Sequence, residues 1–223
     1  MPSSVGLIGG TGRLGPGLAL RFALAGVPVL IGSREAAKGA TAAAKVAAAV
    51  AEHGGEAAVT GCANLDAAQR CEVAVITIPH DGQAALLPQL AGALIGKVVV
   101  STAVPVSVGP EAGPAWDDTM PEGAAAEAAR LLPTSRIAAG FHSLSSWVLA
   151  RPQLRVDSHV VVTGDDADAK RVTMELAELL PGVRAVDGGP LRLARHSEHF
   201  TVLLMSINRI HKRHTGIIIT DLP

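Results

Sequence analysis

A short apolar run, Val5-Gly6-Leu7-Ile8, ends in a glycine cluster, Gly9-Gly10-Thr11-Gly12-Arg13-Leu14-Gly15. Gly10, Gly12 and Gly15 fit G-x-G-x-x-G, and a helical pattern over 14–25 follows at once. Strand, glycine turn and helix in that order constrain the fold far more than the glycines alone, because together they open a dinucleotide-binding sheet. Gly10 allows a tight turn, Gly12 lets backbone approach a pyrophosphate, and Gly15 lets the helix pack on the strand. The helix start presents unpaired N–H groups and its positive dipole end to phosphates.

The next strand, 27–31, leads into Gly32-Ser33-Arg34-Glu35-Ala36-Ala37-Lys38. NAD binders place Asp or Glu at this strand end, where it bonds the ribose 2′-OH. Here Ser33 can donate to a 2′-phosphate, Arg34 can grip it with two bonds, and Lys38 adds a point charge one turn on. The alternative, a merely solvated helix start, leaves unexplained two cations that oppose the helix dipole. The pattern points to NADP. Glu35, one place late for a ribose contact, keeps NAD open.

Apolar strand candidates at 5–9, 27–31, 57–60, 73–78, 98–102 and 136–139 alternate with helical patterns at 14–25, 36–52, 64–70, 82–94 and 124–132. Near-continuous apolar strands suit a sheet covered on both faces. The alternation predicts an α/β fold with a doubly wound, mostly parallel, Rossmann-type sheet. A further strand at 158–163, a helix at 166–180 capped by Asp165-Asp166, and a strand at 183–186 follow, and 191–213 reads as one helix or two. This divides the chain into a dinucleotide-binding domain, 1–155, and a small, tightly packed C-terminal α/β part, 156–223. Residues 104–121, with four prolines and three acids, read as an irregular loop.

Net charge of −1 removes an electrostatic case for nucleic acid, and 2% aromatic content with no tyrosine removes a stacking one. Cys62 and Cys71 lack metal-site spacing and read as buried thiols of a reducing compartment. No leader pattern or membrane-length apolar run is found, so a cytoplasmic protein is expected.

Ligands of open α/β sheets gather at the carboxyl ends of the strands. Three such ends read Thr77-Ile78-Pro79-His80, Ser101-Thr102-Ala103-Val104 and Gly140-Phe141-His142-Ser143. Thr77, Ile78 and Pro79 would border a nicotinamide, unless Ile-Pro simply terminates the strand. Ala103 and Val104 join the cofactor-binding set by position. His142 facing the cleft would donate to a carbonyl where charge develops; the alternative is a structural histidine. His80 stands beside Asp81-Gly82, which reads as an exposed turn. His196/His199 and His211/His214 are spaced i, i+3, but nothing supplies a third ligand, so no metal site is expected. No nucleophile motif or catalytic carboxylate pair is found.

The chain resembles the NADP-dependent oxidoreductases of the deazaflavin coenzyme F-420. The resemblance runs nearly end to end. It rests on the glycine cluster, Leu18-Ala19-Leu20-Arg21, Ile31-Gly32-Ser33-Arg34, Val59-Thr60-Gly61, Val75-Ile76-Thr77-Ile78-Pro79, Glu122, Ala125-Ala126-Glu127 and Phe141-His142. It continues through Gly164-Asp165-Asp166, Asp187, Gly189-Pro190-Leu191, Glu198, Thr201, Asn208-Arg209 and Gly216-Ile217-Ile218-Ile219-Thr220. It implies a cytoplasmic homodimer passing a hydride between NADPH and the deazaflavin ring. Thr11, Arg13, Leu14, Ser33, Arg34 and Lys38 would bind NADP. His142 and Thr201 would position the acceptor ring as the catalytic pair, with Arg195 beside them, and 156–223 would carry the deazaflavin site and the dimer contact. The sequence departs from the family pattern at His80-Asp81-Gly82, at Ser143-Leu144-Ser145 and at His199-Phe200. On sequence alone, a reductase of another acceptor (flavin, quinone or imine) and a non-catalytic NADP sensor stay open.

Overall fold

A computed structural model describes residues 2–222. The first half alternates strictly: β1 (Val5–Ile8), α1 (Gly15–Leu24), β2 (Val29–Ser33), α2 (Ala36–Glu52), β3 (Val59–Ala63), α3 (Asn64–Arg70), β4 (Val73–Ile76), α4 (Gln83–Leu90) and β5 (Val98–Ser101). A hairpin, β6 (Val106–Gly109) and β7 (Gly113–Trp116), precedes α5 (Ala124–Leu131), β8 (Arg136–Ala139) and the short α6 (Ser146–Leu149). The chain closes with β9 (Ser158–Gly164), α7 (Ala167–Glu178), β10 (Val183–Asp187) and α8 (Ala194–His211).

Eight strands form one sheet in the order β10-β9-β8-β5-β4-β1-β2-β3. Every neighbouring pair is parallel except β8–β9. The strand order turns back at β1, between β2 and β4, so the switch-point crevice opens beyond the ends of β1 and β4. The glycine turn sits at that point because it directly follows β1.

Successive strand residues face opposite sides of the sheet, and both sides are covered. Leu7, Val75, Val100 and Ala138 join one buried cluster with Leu18, Phe22 and Leu176. Ile8, Ile76, Val99 and Ala139 join the other with Leu87, Leu132 and Ala194. Phe22 and Phe141 meet edge to face at 6.0 Å, tying α1 to the end of β8. Beside them the buried Arg21 donates to the carbonyls of Val148, Leu149, Arg151, Pro152 and Leu154. A guanidinium tolerates burial only when its fork of donors is met, and the turn after α6 meets it.

The structure corrects the reading of 104–121 as irregular. Val106 to Gly109 pairs antiparallel with Trp116 to Gly113, forming an isolated two-stranded ribbon. Its prolines gave the opposite signal, but a two-stranded ribbon consists only of edges, where proline is tolerated. The helix expected at 82–94 is α4 flanked by tight 3-10 turns at His80–Gly82 and Ala91–Leu94. Of the two acids expected to cap α7, Asp166 accepts from the Ala169 N–H at 2.7 Å, while Asp165 instead accepts from Leu191.

Candidate active site

A cleft of about 900 Å³ opens at the carboxyl ends of β1, β2 and β4. Gly9, Thr11 and Gly12 form one wall, Ser33, Arg34, Glu35 and Lys38 a second, and Thr77, Ile78 and Pro79 a third. The fold thus joins the glycine turn to the basic strand end some 20 residues away. Gly10, Arg13, Leu14, Gly15, His80, Ala103, Val104, His142, Arg195 and Thr201 stand outside this lining.

The glycines divide their work differently from the sequence reading. The left-handed turn residue is Gly9, at φ +73°, not Gly10. Gly10 is needed for packing, since a Cβ there would lie 2.8 Å from that of Leu7. A Cβ on Gly15 would strike the Gly10 backbone, so the helix start packs directly on the glycine turn. Gly12 differs: an added Cβ would meet nothing closer than 3.5 Å, an ordinary contact. The protein's own packing does not demand glycine at 12, so the bare backbone there fits close approach by a ligand phosphate.

Around the basic wall, Ser33 is buried and Arg34 exposed, and Lys38 Nζ reaches Glu35 Oε1 at 2.6 Å. Arg13 is exposed on the glycine turn, while Leu14 packs back against the core.

A second group gathers where the chain leaving β8 meets α8. His142 Nε2 lies 2.9 Å from Ser197 Oγ, which itself lies 2.9 Å from the Ala194 carbonyl. The serine has one proton, and only by donating it to the carbonyl while accepting from Nε2–H can both contacts be bonds. Nδ1 is then an unprotonated acceptor, buried without a partner among the described residues. Burial pushes His142 down to about 4, so it is neutral near pH 7. This corrects the expected role: the His142 Nε2–H is committed to Ser197 and Nδ1 is enclosed by protein, so the histidine fixes α8 rather than donating to a carbonyl. Thr201 Oγ1 donates to the Ser197 carbonyl at 3.0 Å.

Glu198, fully buried on α8, accepts from the N–H groups of Ala124 and Ala125 and so caps α5. Desolvation outweighs these bonds and pushes its carboxyl up to about 7. The β6–β7 hairpin is held from both sides. His80 Nε2 meets Asp117 Oδ2 at 3.1 Å, and Trp116 stacks on His199 with ring centroids 3.6 Å apart. Arg195 faces Glu122 at 3.5 Å.

Residues 4–105 match the family model described as "NADP oxidoreductase coenzyme F420-dependent". The F420-dependent NADP reductase of Methanothermobacter marburgensis is 41% identical over 227 residues, spanning 98% of this chain and 99% of that protein. The chain belongs to the F420-dependent NADP reductase family. The reductase of Methanothermobacter thermautotrophicus is likewise 41% identical, over 229 residues that span 100% of this chain and 97% of that one. A solved structure from Arthrobacter sp. fb24, described as a candidate F420-dependent NADP reductase, superposes with a TM-score of 0.80. The match covers 99% of this chain and 100% of that one at 23% identity, which shows a shared fold.

In this family member, Asn64 and Ser197 act at the two groups without a motif to announce them, and Glu198, which the resemblance includes, acts beside them. Asn64, buried at the start of α3, accepts the Gly9 N–H at 2.9 Å and so holds the glycine turn. Ser197 sets the histidine's proton. Glu198 fixes α8, and with it Ser197 and Thr201, to α5. Each acts through a contact between segments more than 50 residues apart, which local spacing does not reveal.

Proposed function

We propose that the chain passes a hydride between NADPH and coenzyme F-420, with NADP(H) in the cleft and the deazaflavin at the His142–Thr201 group. The observation that carries the cofactor assignment is the meeting of Gly12's open backbone with Ser33, Arg34 and Lys38 across one cleft.

Bound face to face, the two rings would exchange the hydride directly between carbons. The backbone at Gly10, Thr11, Gly12 and Arg13 holds the pyrophosphate, with Leu14 and Gly15 setting the helix behind it. Ser33, Arg34 and Lys38 hold the 2′-phosphate. Thr77, Ile78, Pro79, Ala103 and Val104 border the nicotinamide side. His142, through its bond to Ser197, fixes α8 beside the ring, Thr201 keeps only its hydroxyl lone pairs for the ring edge, and His80 and Arg195 close the far side. No side chain must exchange the transferred hydrogen, so orientation supplies most of the rate. Residues 1–155 carry the dinucleotide, and 156–223 carry the ring-positioning helix.

The same reading makes the protein a homodimer of the cytoplasm. Phe200, Leu203 and Ile210 lie at helical spacing on α8 and are 40%, 52% and 70% exposed, an apolar stripe suited to a second copy. The buried free thiols of Cys62 and Cys71 suit a reducing compartment. No helix among the described residues is long and apolar enough to cross a membrane. Titration of Arg34→Ala with NADPH and NADH tests the cofactor assignment. NADPH binding weakens by about 1.5–3 kcal/mol, the worth of a charge-assisted bond, while NADH is unchanged. Equal weakening of both contradicts it.

A further inference from the structure

We infer that Glu35 is a cofactor-specificity residue, a built-in competitor that holds Lys38 away from the 2′-phosphate and limits how tightly NADP(H) binds. The inference rests on the assignment of that phosphate to Ser33, Arg34 and Lys38.

Glu35 occupies the N-cap position of α2, where a carboxylate commonly bonds the first free N–H groups. It makes no such side-chain bond. Its carboxylate turns instead to Lys38 Nζ at 2.6 Å, and both side chains are about two-thirds exposed on the cleft wall. Arg34 and Lys38 are the two cations on that wall, so Glu35 cancels half of their charge. An arriving 2′-phosphate must take Lys38 from Glu35 and then stand within a helical turn of the displaced carboxylate. NADH brings no charge to this point, and its 2′-OH can donate to Glu35. The carboxylate therefore penalises the phosphorylated cofactor alone. An exposed pair is weak and is exchanged at little cost, so it tempers affinity without blocking the site.

The test is equilibrium titration of the full-length protein with NADPH and with NADH at about 0.01 M and about 0.1 M salt. Over that range the Debye length falls from roughly 30 to roughly 10 Å. Wild type, Glu35→Gln, Lys38→Met and the double variant are compared, with Arg34→Ala as control. Glu35→Gln is expected to bind NADPH about three- to tenfold tighter at low salt, with a smaller gain at high salt and no gain for NADH. In the Lys38→Met background the gain shrinks to what relief of the carboxylate's direct repulsion of the phosphate supplies. A gain shared equally by NADH, no gain, or a full gain without Lys38 overturns the inference. If Arg34→Ala leaves the preference for NADPH intact, the phosphate assignment itself falls, and this inference with it. If Arg34→Ala abolishes the preference while Glu35→Gln changes nothing, only the inference falls.

Discussion

The Nε2–H of His142 donates to Ser197 Oγ across 2.9 Å, and this bond fixes the histidine against α8. Ser197 donates its own O–H to the Ala194 carbonyl, so the buried Nδ1 keeps a lone pair with no partner among the described residues. A neutral histidine held in this way ties the end of β8 to α8 without taking part in proton exchange.

His142→Ala and Thr201→Ala are therefore expected to slow single-turnover hydride transfer by up to about 10²-fold, the cost of a reacting ring held an ångström out of place. NADPH affinity stays unchanged. Ser197→Ala, which frees Nε2–H and lets the ring tautomerise, gives a smaller loss. Stopped-flow absorbance of the deazaflavin reads the rate. Loss of NADPH affinity in the His142 or Thr201 variants contradicts the placement.

Two buried groups give opposite pH dependences. Glu198 is raised to about 7 by desolvation, above its ordinary value of 4.5. The unfolded chain releases this proton first, so its contribution is full below about pH 4.5 and is lost as pH rises through about 7. His142 is lowered to about 4 from 6.5. Its contribution is full above about 6.5 and is lost as pH falls through about 4. The two slopes oppose each other between pH 4.5 and 6.5. Glu198→Gln removes one, so urea-unfolding stability of the variant rises relative to wild type by up to roughly 3 kcal/mol from pH 4.5 to 7.5. A constant difference across that range contradicts a raised Glu198.

Gly12→Val tests the glycine turn. The added Cβ finds room in the protein, so the fold and its melting temperature change little. NADP(H) binding is abolished, because the side chain occupies the pyrophosphate's approach. Calorimetric titration checks this, and retained binding moves the phosphates elsewhere.

Arg21→Met keeps the length of the side chain but strands five carbonyls that Arg21 now serves. Unmet buried acceptors cost about 1–3 kcal/mol each where water cannot reach them. A stability loss of at least about 3 kcal/mol is expected in denaturant unfolding. A loss below about 1 kcal/mol shows that water replaces the guanidinium.

The sheet was legible because its signals are local. The apolar run at Val73–Ile76 and the helix after Gly15 each announce themselves within a few residues. The basic strand end at Ser33-Arg34 was legible for the same reason, and the cleft joins it to the glycine turn. The hairpin at Val106–Trp116 was not, since its strands are only four residues long and the second carries a proline. Nor was the proton on His142, which depends on Ser197, 55 residues away. Asp165 misled as a cap because its neighbour Asp166 already fills the position, leaving Asp165 to bond Leu191 across the sheet end.

The most direct test of the central claim follows one hydrogen. NADPH carrying deuterium on the transferred face is mixed with oxidised coenzyme F-420 and the protein, and the product is read by NMR. Direct transfer places the label at C5 of the reduced deazaflavin, with His142→Ala slowing its appearance. Label released to water, or no reduction of the deazaflavin by NADPH, contradicts the account.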